Sequence, residues 1–234
     1  MKDDISGRLK EMLEPSEYAI QESETIPGPG DNRVTFGNTG VKFWAATVYI
    51  DMRGSTAVLN QHRAHTVAKI HKAYLYTATT LIADGGGQIR SYNGDSILAF
   101  FPGNTKAAIS SAIKAAMQIK YMLTTVCKDE FERYQTLNFG AGVDHGEILC
   151  AKAGRARNDN HNDLIWLGNA VNRATVLSDR AKAPSYVFIS EHCRNNLERT
   201  AQFCEDKDMW TEDAIEYNGS RERAWKTGYE WRVN

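Results

Sequence analysis

The stretch that most constrains this chain is Phe43-Trp44-Ala45-Ala46-Thr47-Val48-Tyr49-Ile50-Asp51, a β-branched and aromatic run that stops on an acid. A period of two puts Thr47, Tyr49 and Asp51 on one face and Val48 and Ile50 on the other, the pattern of a core strand with two different environments. Arg53-Gly54-Ser55-Thr56 follows at once. Gly54 permits a tight turn there, while Ser55 and Thr56 can cap a helix whose apolar positions include Val67, Ile70, Tyr74 and Leu81. A strand, a glycine turn and a helix start in succession form a cradle for phosphate, because the first backbone N–H groups of the helix are free to meet an anion.

The remaining chain supplies partners for that strand. After Gly85-Gly86-Gly87, the runs QIRSY and SILAFF read as two strands joined across Asn93-Gly94, with Asp95 at the tip. Ala108, Ile109, Ala112, Ile113, Ala116, Met117 and Leu123 have helical spacing. LNFGAGVDHGEILCAKAG is expected to form two strands turning at Asp144-His145-Gly146. The polar loop RARNDNHND leads into LIWLG, and Ala170, Val171, Ala174 and Leu177 mark a helix, followed by a strand over 186–189 and a helix from Ser190. This order predicts an α+β sandwich, helices against a largely antiparallel sheet. Residues 1–40 are expected to be a short amphipathic helix, with Ile5, Leu9, Met12 and Leu13 on one face, and a proline- and glycine-rich linker; residues 41–234 form the domain.

The formal net charge of -1 gives no global reason for nucleic-acid binding, so a polyanion needs a local site. Cys127, Cys150, Cys193 and Cys204 show neither CxxC spacing nor paired histidines and read as reduced thiols. No stretch approaches the roughly eighteen apolar residues of a membrane span, and Met1-Lys2-Asp3-Asp4 precedes no apolar signal core. A cytoplasmic protein without direct membrane association is expected. Asp51 ends a core strand and Asp95 caps a hairpin of the same sheet, so the two can converge on one metal site. Either acid alone is also a common helix cap or solvated turn residue.

The order DMRGST, GGGQIRSYNGDSILAFF, LIWLGNAVNRA resembles the catalytic domain of class III nucleotidyl cyclases over about residues 42–200. The resemblance implies that Asp51 and Asp95 are metal carboxylates, that Met52 adds its backbone carbonyl, and that two magnesium or manganese ions serve a nucleoside triphosphate. It also implies that Asn172 orients the ribose from the other subunit of a head-to-tail homodimer with composite sites. The turn from Met52 to Thr56 offers backbone N–H groups at a helix N-terminus, so Gly54, Ser55 and Thr56 are the candidates to hold phosphate without any lysine. By itself Asn172 is equally well a helix-surface amide.

Three positions depart from that pattern. Four residues after Asn172, where the family commonly has an arginine that stabilises transition-state charge, stands Val176. Arg173, Arg180, Arg221, Arg223 and Lys226 are the candidates to replace it. The two base-reading positions align with Ser91 and Ile165, which carry neither the adenine- nor the guanine-reading groups. Tyr49 shares a strand face with Asp51 and can shrink the base pocket, although a half-buried strand tyrosine satisfied locally is the plainer alternative. Arg90 and Tyr92 alternate to the face opposite Ser91.

The combination VYIDMRGST, IRSYNGDS and DLIWLGNAVN is similar to the small pyrimidine cyclases of the bacterial Pycsar antiphage systems. That similarity implies conversion of UTP to cyclic UMP, with CTP to cyclic CMP next, and a signal read by a separate cyclic-nucleotide-responsive effector. A purine cyclase with an unusual base pocket and a catalytically silent nucleotide-binding dimerisation module are the other readings, the last motivated by Val176.

Overall fold

The computed structural model describes residues 1–14, 17–154 and 161–233. Its elements run α1 (Lys2–Leu13), β1 (Ala19–Glu22), β2 (Thr39–Arg53), α2 (Ser55–Gln61), α3 (Ala64–Asp84), β3 (Gln88–Asn93), β4 (Ser96–Pro102) and α4 (Lys106–Tyr121). After a π-helical turn, Met122–Val126, come α5 (Lys128–Glu132), β5 (Asn138–Gly154), β6 (Asn162–Leu167), α6 (Asn169–Arg180) and β7 (Val187–Ser190). The chain closes with α7 (Glu191–Asn195), α8 (Arg199–Gln202), β8 (Phe203–Cys204), β9 (Lys207–Asp208), β10 (Thr211–Tyr217) and β11 (Ser220–Thr227). The main sheet is ordered β10-β11-β7-β5-β2-β4-β3, with β1 beside β2 and β6 beside β5. Among the described residues only β1–β2 and β5–β7 pair in parallel, so the fold is an α+β sandwich with a largely antiparallel sheet.

The period-two pattern of β2 sorts this sheet into two cores. Ala46, Val48, Ile50 and Met52 join the cluster formed with Ile70, Tyr74 and Ala78 of α3 and Ile109, Ile113 and Met117 of α4. Phe43, Ala45 and Tyr49 look the other way, into a cluster with Leu98, Phe100, Leu164, Trp166 and Val171. The alanine-rich α4 is closed at its start by Thr105, whose hydroxyl accepts from the Ala108 amide at 3.1 Å.

On the second face, α6 lies directly on β5 because small residues meet on both sides. A Cβ at Gly142 would stand 2.0 Å from the Ala174 carbonyl oxygen, and one at Gly140 would stand 2.3 Å from that of Ser178. Ser178 adds a hydrogen bond from its Oγ to the Gly140 carbonyl at 3.0 Å. Any side chain at either glycine would lift the helix off the sheet.

Four expectations are corrected by the tertiary structure. The run 138–154 is one strand without a turn at Asp144-His145-Gly146, because the long β2 pairs with it continuously from Arg53↔Asn138 to Val41↔Cys150. The helix after Gly54 is broken, since His62 and Arg63 are extended and separate α2 from α3. Neither Ser55 nor Thr56 makes a side-chain cap; Gly54 occupies the N-cap in a left-handed conformation, φ 77°. Residues 19–40 are not a free linker: β1 pairs with β2 from Ala19↔Thr39 to Glu22↔Lys42, and Ile26 and Val34 are buried against Val41 and Phe43. Apolar burial outweighs the local proline and glycine signal there. The C-terminal hairpin β10–β11 extends the sheet beyond anything the sequence pattern indicated. Part of the expected loop, residues 155–160, lies outside the described residues. The four cysteines are free, and among the described residues no helix is long and apolar enough to cross a membrane.

Candidate active site

Strand pairing carries Asp51 and Asp95 to one corner of the sheet. The last β2–β4 pair is Ile50↔Ile97, and β3 and β4 close at Asn93↔Ser96, so the two-residue turn is Gly94–Asp95 rather than Asn93–Gly94. Gly94 takes the left-handed conformation such a turn requires, φ 63°. Burial and then the charge of Asp95 raise the Asp51 carboxyl above its ordinary value, while Arg53 acts in the opposite sense. Asp95 Oδ2 is buried and has no hydrogen-bond partner among the described residues. A buried oxygen left so costs about 1–3 kcal/mol. Two facing carboxylates, one with an orphaned oxygen, match the hard-oxygen donor set that a magnesium or manganese ion takes. No cluster of three or more His, Cys, Asp or Glu side chains is present among the described residues. Met52 is 2% exposed, its side chain turned into the helical core, and only its backbone can serve.

Arg53 was not singled out from the sequence, yet it is the residue nearest in function to Asp51. Its Nη1 donates to Asp51 Oδ2 at 2.7 Å, its Nε donates to the Ala181 carbonyl at 3.3 Å, and its Nη2 donates to the carbonyl of Ser178. The guanidinium thereby ties the end of β2 to the last turn of α6. The signal was available: a residue two positions after Asp51 in a strand shares its face.

Beyond Arg53, the Gly54 turn opens α2. The amides of Ala57 and Val58 return to the Gly54 carbonyl at 2.9 and 3.2 Å. The N–H groups of Ser55 and Thr56, in the first turn of α2, lie outside that ladder and are available to an anion.

Tyr49 and Ser91 are brought to the same face, but not by simple alternation. Between Ile89↔Ala99 and Ser91↔Leu98 the register shifts, which makes Arg90 the extra residue of a β-bulge. Ser91 therefore pairs with Leu98, on the face of Tyr49. Arg90 shares that face instead of opposing it and donates to the Pro27 carbonyl at 3.0 Å, whereas Tyr92 turns to α3, its hydroxyl 2.9 Å from that of Thr79. The Tyr49 hydroxyl donates to Ser96 Oγ at 2.9 Å, and Ser96 donates to the Asn93 carbonyl at 2.9 Å. The plainer alternative for the Tyr49 hydroxyl thus holds, and its ring remains a half-buried wall of the face that carries Asp51. Ile165 is 39% exposed, on the side of β6 opposite Leu164 and Trp166, which pack, as Tyr49 does, against the cluster around Phe43 and Phe100. Within one chain Ile165 is not gathered with the other base-side residues.

Asn172 sits on the exposed side of α6, and no contact joins it to Asp51 of the same chain among the described residues. Val176 is partly buried against Leu177, Ile215 and Tyr217. Arg173, next to Asn172, is committed inward: Nη1 donates to Asp144 Oδ2 and Nε to Glu222 Oε2, both at 2.8 Å, and its guanidinium stacks 4.5 Å from the Tyr217 ring centroid.

No family model matches the chain. The chain is 32% identical over 215 residues to the uridylate cyclase of Burkholderia cepacia, spanning 90% of each. It is 28% identical over 240 residues to the uridylate cyclase of Xanthomonas perforans, spanning 100% of this chain and 99% of the relative. Among solved structures, the adenylyl cyclase CyaB from P. aeruginosa shares the fold with a TM-score of 0.67, over 80% of this chain and 95% of that one at 17% identity.

Proposed function

Because the chain belongs to the uridylate cyclase family and is a nucleotidyl cyclase, we propose that its substrate is UTP, closed to 3′,5′-cyclic UMP with release of pyrophosphate. The observation that carries this reading is the corner shared by Asp51 and Asp95, on the same sheet face as the Tyr49 ring. The residues that would hold two divalent ions, magnesium or manganese, are Asp51, Asp95 and the Met52 backbone carbonyl; such ions lower the pKa of the ribose 3′-hydroxyl and offset charge on the departing pyrophosphate. The 3′-oxygen bonds to the α-phosphorus as the bond to the β-phosphate oxygen breaks, and the hydroxyl proton is released. Arg53 keeps the Asp51 carboxylate oriented, the Ser55 and Thr56 amides hold phosphate oxygens, and Asn172 orients the ribose.

The base pocket follows from volume. The Tyr49 ring occupies space that the second ring of a purine needs, and Ser91 offers a short side chain in place of a purine-reading group. Tyr49→Ala is expected to raise the kcat/KM ratio of ATP to UTP by about 10-fold, the worth of one lost hydrophobic exclusion. Tyr49→Phe, which removes only the bond to Ser96, should retain selectivity for pyrimidines. An unchanged ratio in Tyr49→Ala removes Tyr49 from the base site.

The exposed Asn172, joined by no contact to Asp51 of its own chain among the described residues, supports a homodimer in which each site takes the carboxylates from one subunit and the asparagine from the other. Two inactive variants, Asp51→Ala and Asn172→Ala, mixed and reassociated, should then recover up to about a quarter of the unaltered activity, since half of the random dimers hold one intact site of two. No recovery in exchanged dimers places both residues in one subunit's site. As part of the same proposal, the enzyme is cytoplasmic and makes a second messenger in antiphage defence, read by a separate effector.

The deciding experiment incubates the purified protein with manganese and each of UTP, CTP, ATP and GTP, and identifies products by mass spectrometry. Cyclic UMP supports the proposal. Cyclic CMP, cyclic AMP or cyclic GMP as main product replaces the substrate, and nucleotide binding without any product supports the silent module.

A further inference from the structure

Two of the five buried side-chain polar atoms that lack a hydrogen-bond partner among the described residues are Asp95 Oδ2 and the hydroxyl of Tyr74. Tyr74 lies on the inner stripe of α3 with Ile70, Ala78 and Leu81, and it is 0% exposed. Its cluster is built of apolar residues, among them Ile50, Met52, Ile97 and Phe139. A phenol in such a place costs free energy that a phenylalanine would not, unless its hydroxyl finds a partner.

That cluster reaches the Asp51–Asp95 corner from the helical face of the sheet. Ile50 and Met52, which flank Asp51 in β2, and Ile97, two residues after Asp95, all belong to it. The Tyr74 ring centroid stands 6.3 Å from that of Phe139, the residue that pairs with Met52 between β5 and β2. Burial lifts the Tyr74 phenol well above the ordinary tyrosine pKa, the charges of Asp51 and then Asp95 lift it further, and Arg53 acts in the opposite sense. The hydroxyl therefore stays protonated and remains a donor. Asp95 Oδ2 is its complement, an acceptor without a donor. The two are not in direct hydrogen-bond contact, and a buried water with two or more polar partners is the ordinary link between such groups.

We infer that Tyr74 is a positioning residue of the carboxylate pair: through one shared water its hydroxyl holds Asp95 Oδ2, so that this carboxylate keeps a single orientation towards a metal ion. The inference rests on the two-carboxylate reading above. A group behind a ligand fixes the direction of that ligand, and its loss typically costs about 10–100-fold in metal affinity or activity. Arg53 already orients Asp51, at 2.7 Å. Tyr74 gives Asp95 Oδ2 the counterpart that no other described residue supplies, and it does so without adding a charge to the core.

The test is Tyr74→Phe in the full-length protein, which deletes the hydroxyl and keeps the ring. Manganese affinity, measured by calorimetry without nucleotide, should fall by about 10-fold, and kcat/KM for UTP should fall with it. The thermal midpoint in metal-free buffer should move by no more than about 4 °C. Tyr76→Phe, on the same helix but 74% exposed, should change none of these. Without metal, the midpoint shifts of Tyr74→Phe and Asp95→Ala should not add in the double variant, because either substitution ends the same bridge. Manganese affinity in Tyr74→Phe within about twofold of the unaltered protein, or additive midpoint shifts, would overturn the assignment. Unaltered protein that binds manganese but cyclises no nucleotide refutes the cyclase reading alone, and the affinity of Tyr74→Phe still decides the role of Tyr74. Unaltered protein that takes up no manganese sinks the metal reading, and the double variant then shows by itself whether Tyr74 holds Asp95.

Discussion

Asp51→Ala or Asp95→Ala should each reduce cyclic nucleotide formation by at least about 10³-fold, the equivalent of several kcal/mol of lost transition-state stabilisation. The loss is expected to be catalytic rather than structural. Asp51 is partly exposed, 25% by side chain, and without it Arg53 keeps the carbonyls of Ser178 and Ala181. Removing Asp95 relieves the repulsion that adds to burial in raising the Asp51 carboxyl and deletes an oxygen that has no hydrogen-bond partner among the described residues. The protein should therefore stay folded, and manganese affinity measured by calorimetry on the protein alone should fall with activity. Near-normal turnover in either variant refutes a two-carboxylate mechanism, and lost turnover with unchanged manganese affinity moves the metal elsewhere.

Asp144→Ala should cause the largest loss of stability among single polar substitutions, about 3–5 kcal/mol, the cost of breaking a buried pair by removing one partner. The Asp144 side chain is 1% exposed and 2.8 Å from Arg173, and it accepts a second hydrogen bond from Ser190. Ser190 in turn accepts from the Cys193 amide at 3.1 Å, closing the start of α7. Deleting the carboxylate leaves Arg173 with Glu222 alone and leaves the Ser190 hydroxyl a buried donor without its acceptor. For a chain of this size the thermal midpoint should fall by about 10 °C, and urea denaturation gives the free energy directly. Asp144→Asn should lose less, since its amide oxygen can still accept from one partner. A change below about 1 kcal/mol in Asp144→Ala means that Arg173 and Ser190 find other partners and that the network does not hold α6 to the sheet.

Both residues show how a sequence reads well locally and poorly across the chain. Asp51 was legible because a strand period and a following glycine turn are local signals, and the ordered motifs around Asp95 and Asn172 added the family. Asp144-His145-Gly146 looked like a turn for the same local reason, since Asp and Gly favour turns. It became the middle of β5 because β2 offers thirteen successive pairing partners, from Arg53↔Asn138 to Val41↔Cys150, and an acid inside that sheet is tolerated once Arg173 and Ser190 satisfy it. Gly140 and Gly142 carried no helix-packing signal of their own; their need for a bare backbone exists only because α6 lies on them.

The base side shows the same division. Period two placed Tyr49 with Asp51 correctly, yet the position of Arg90 depended on a bulge, which inserts one residue without marking the sequence. The burial of Ile26 and Val34 also went unseen, because proline and glycine announce a break in regular structure but say nothing about what the chain packs on afterwards.

By itself the sequence determined the strand that ends at Asp51, the β3–β4 hairpin, the helices α4 and α6, and the motifs that place the chain among nucleotidyl cyclases, because each of those is carried by residues within a few positions of one another. Tertiary structure alone decided which cations pair with which carboxylates, Arg173 with the buried Asp144 and Arg180 and Lys226 with Asp213, because an ion pair is formed by distance in space between residues that the sequence keeps many positions apart.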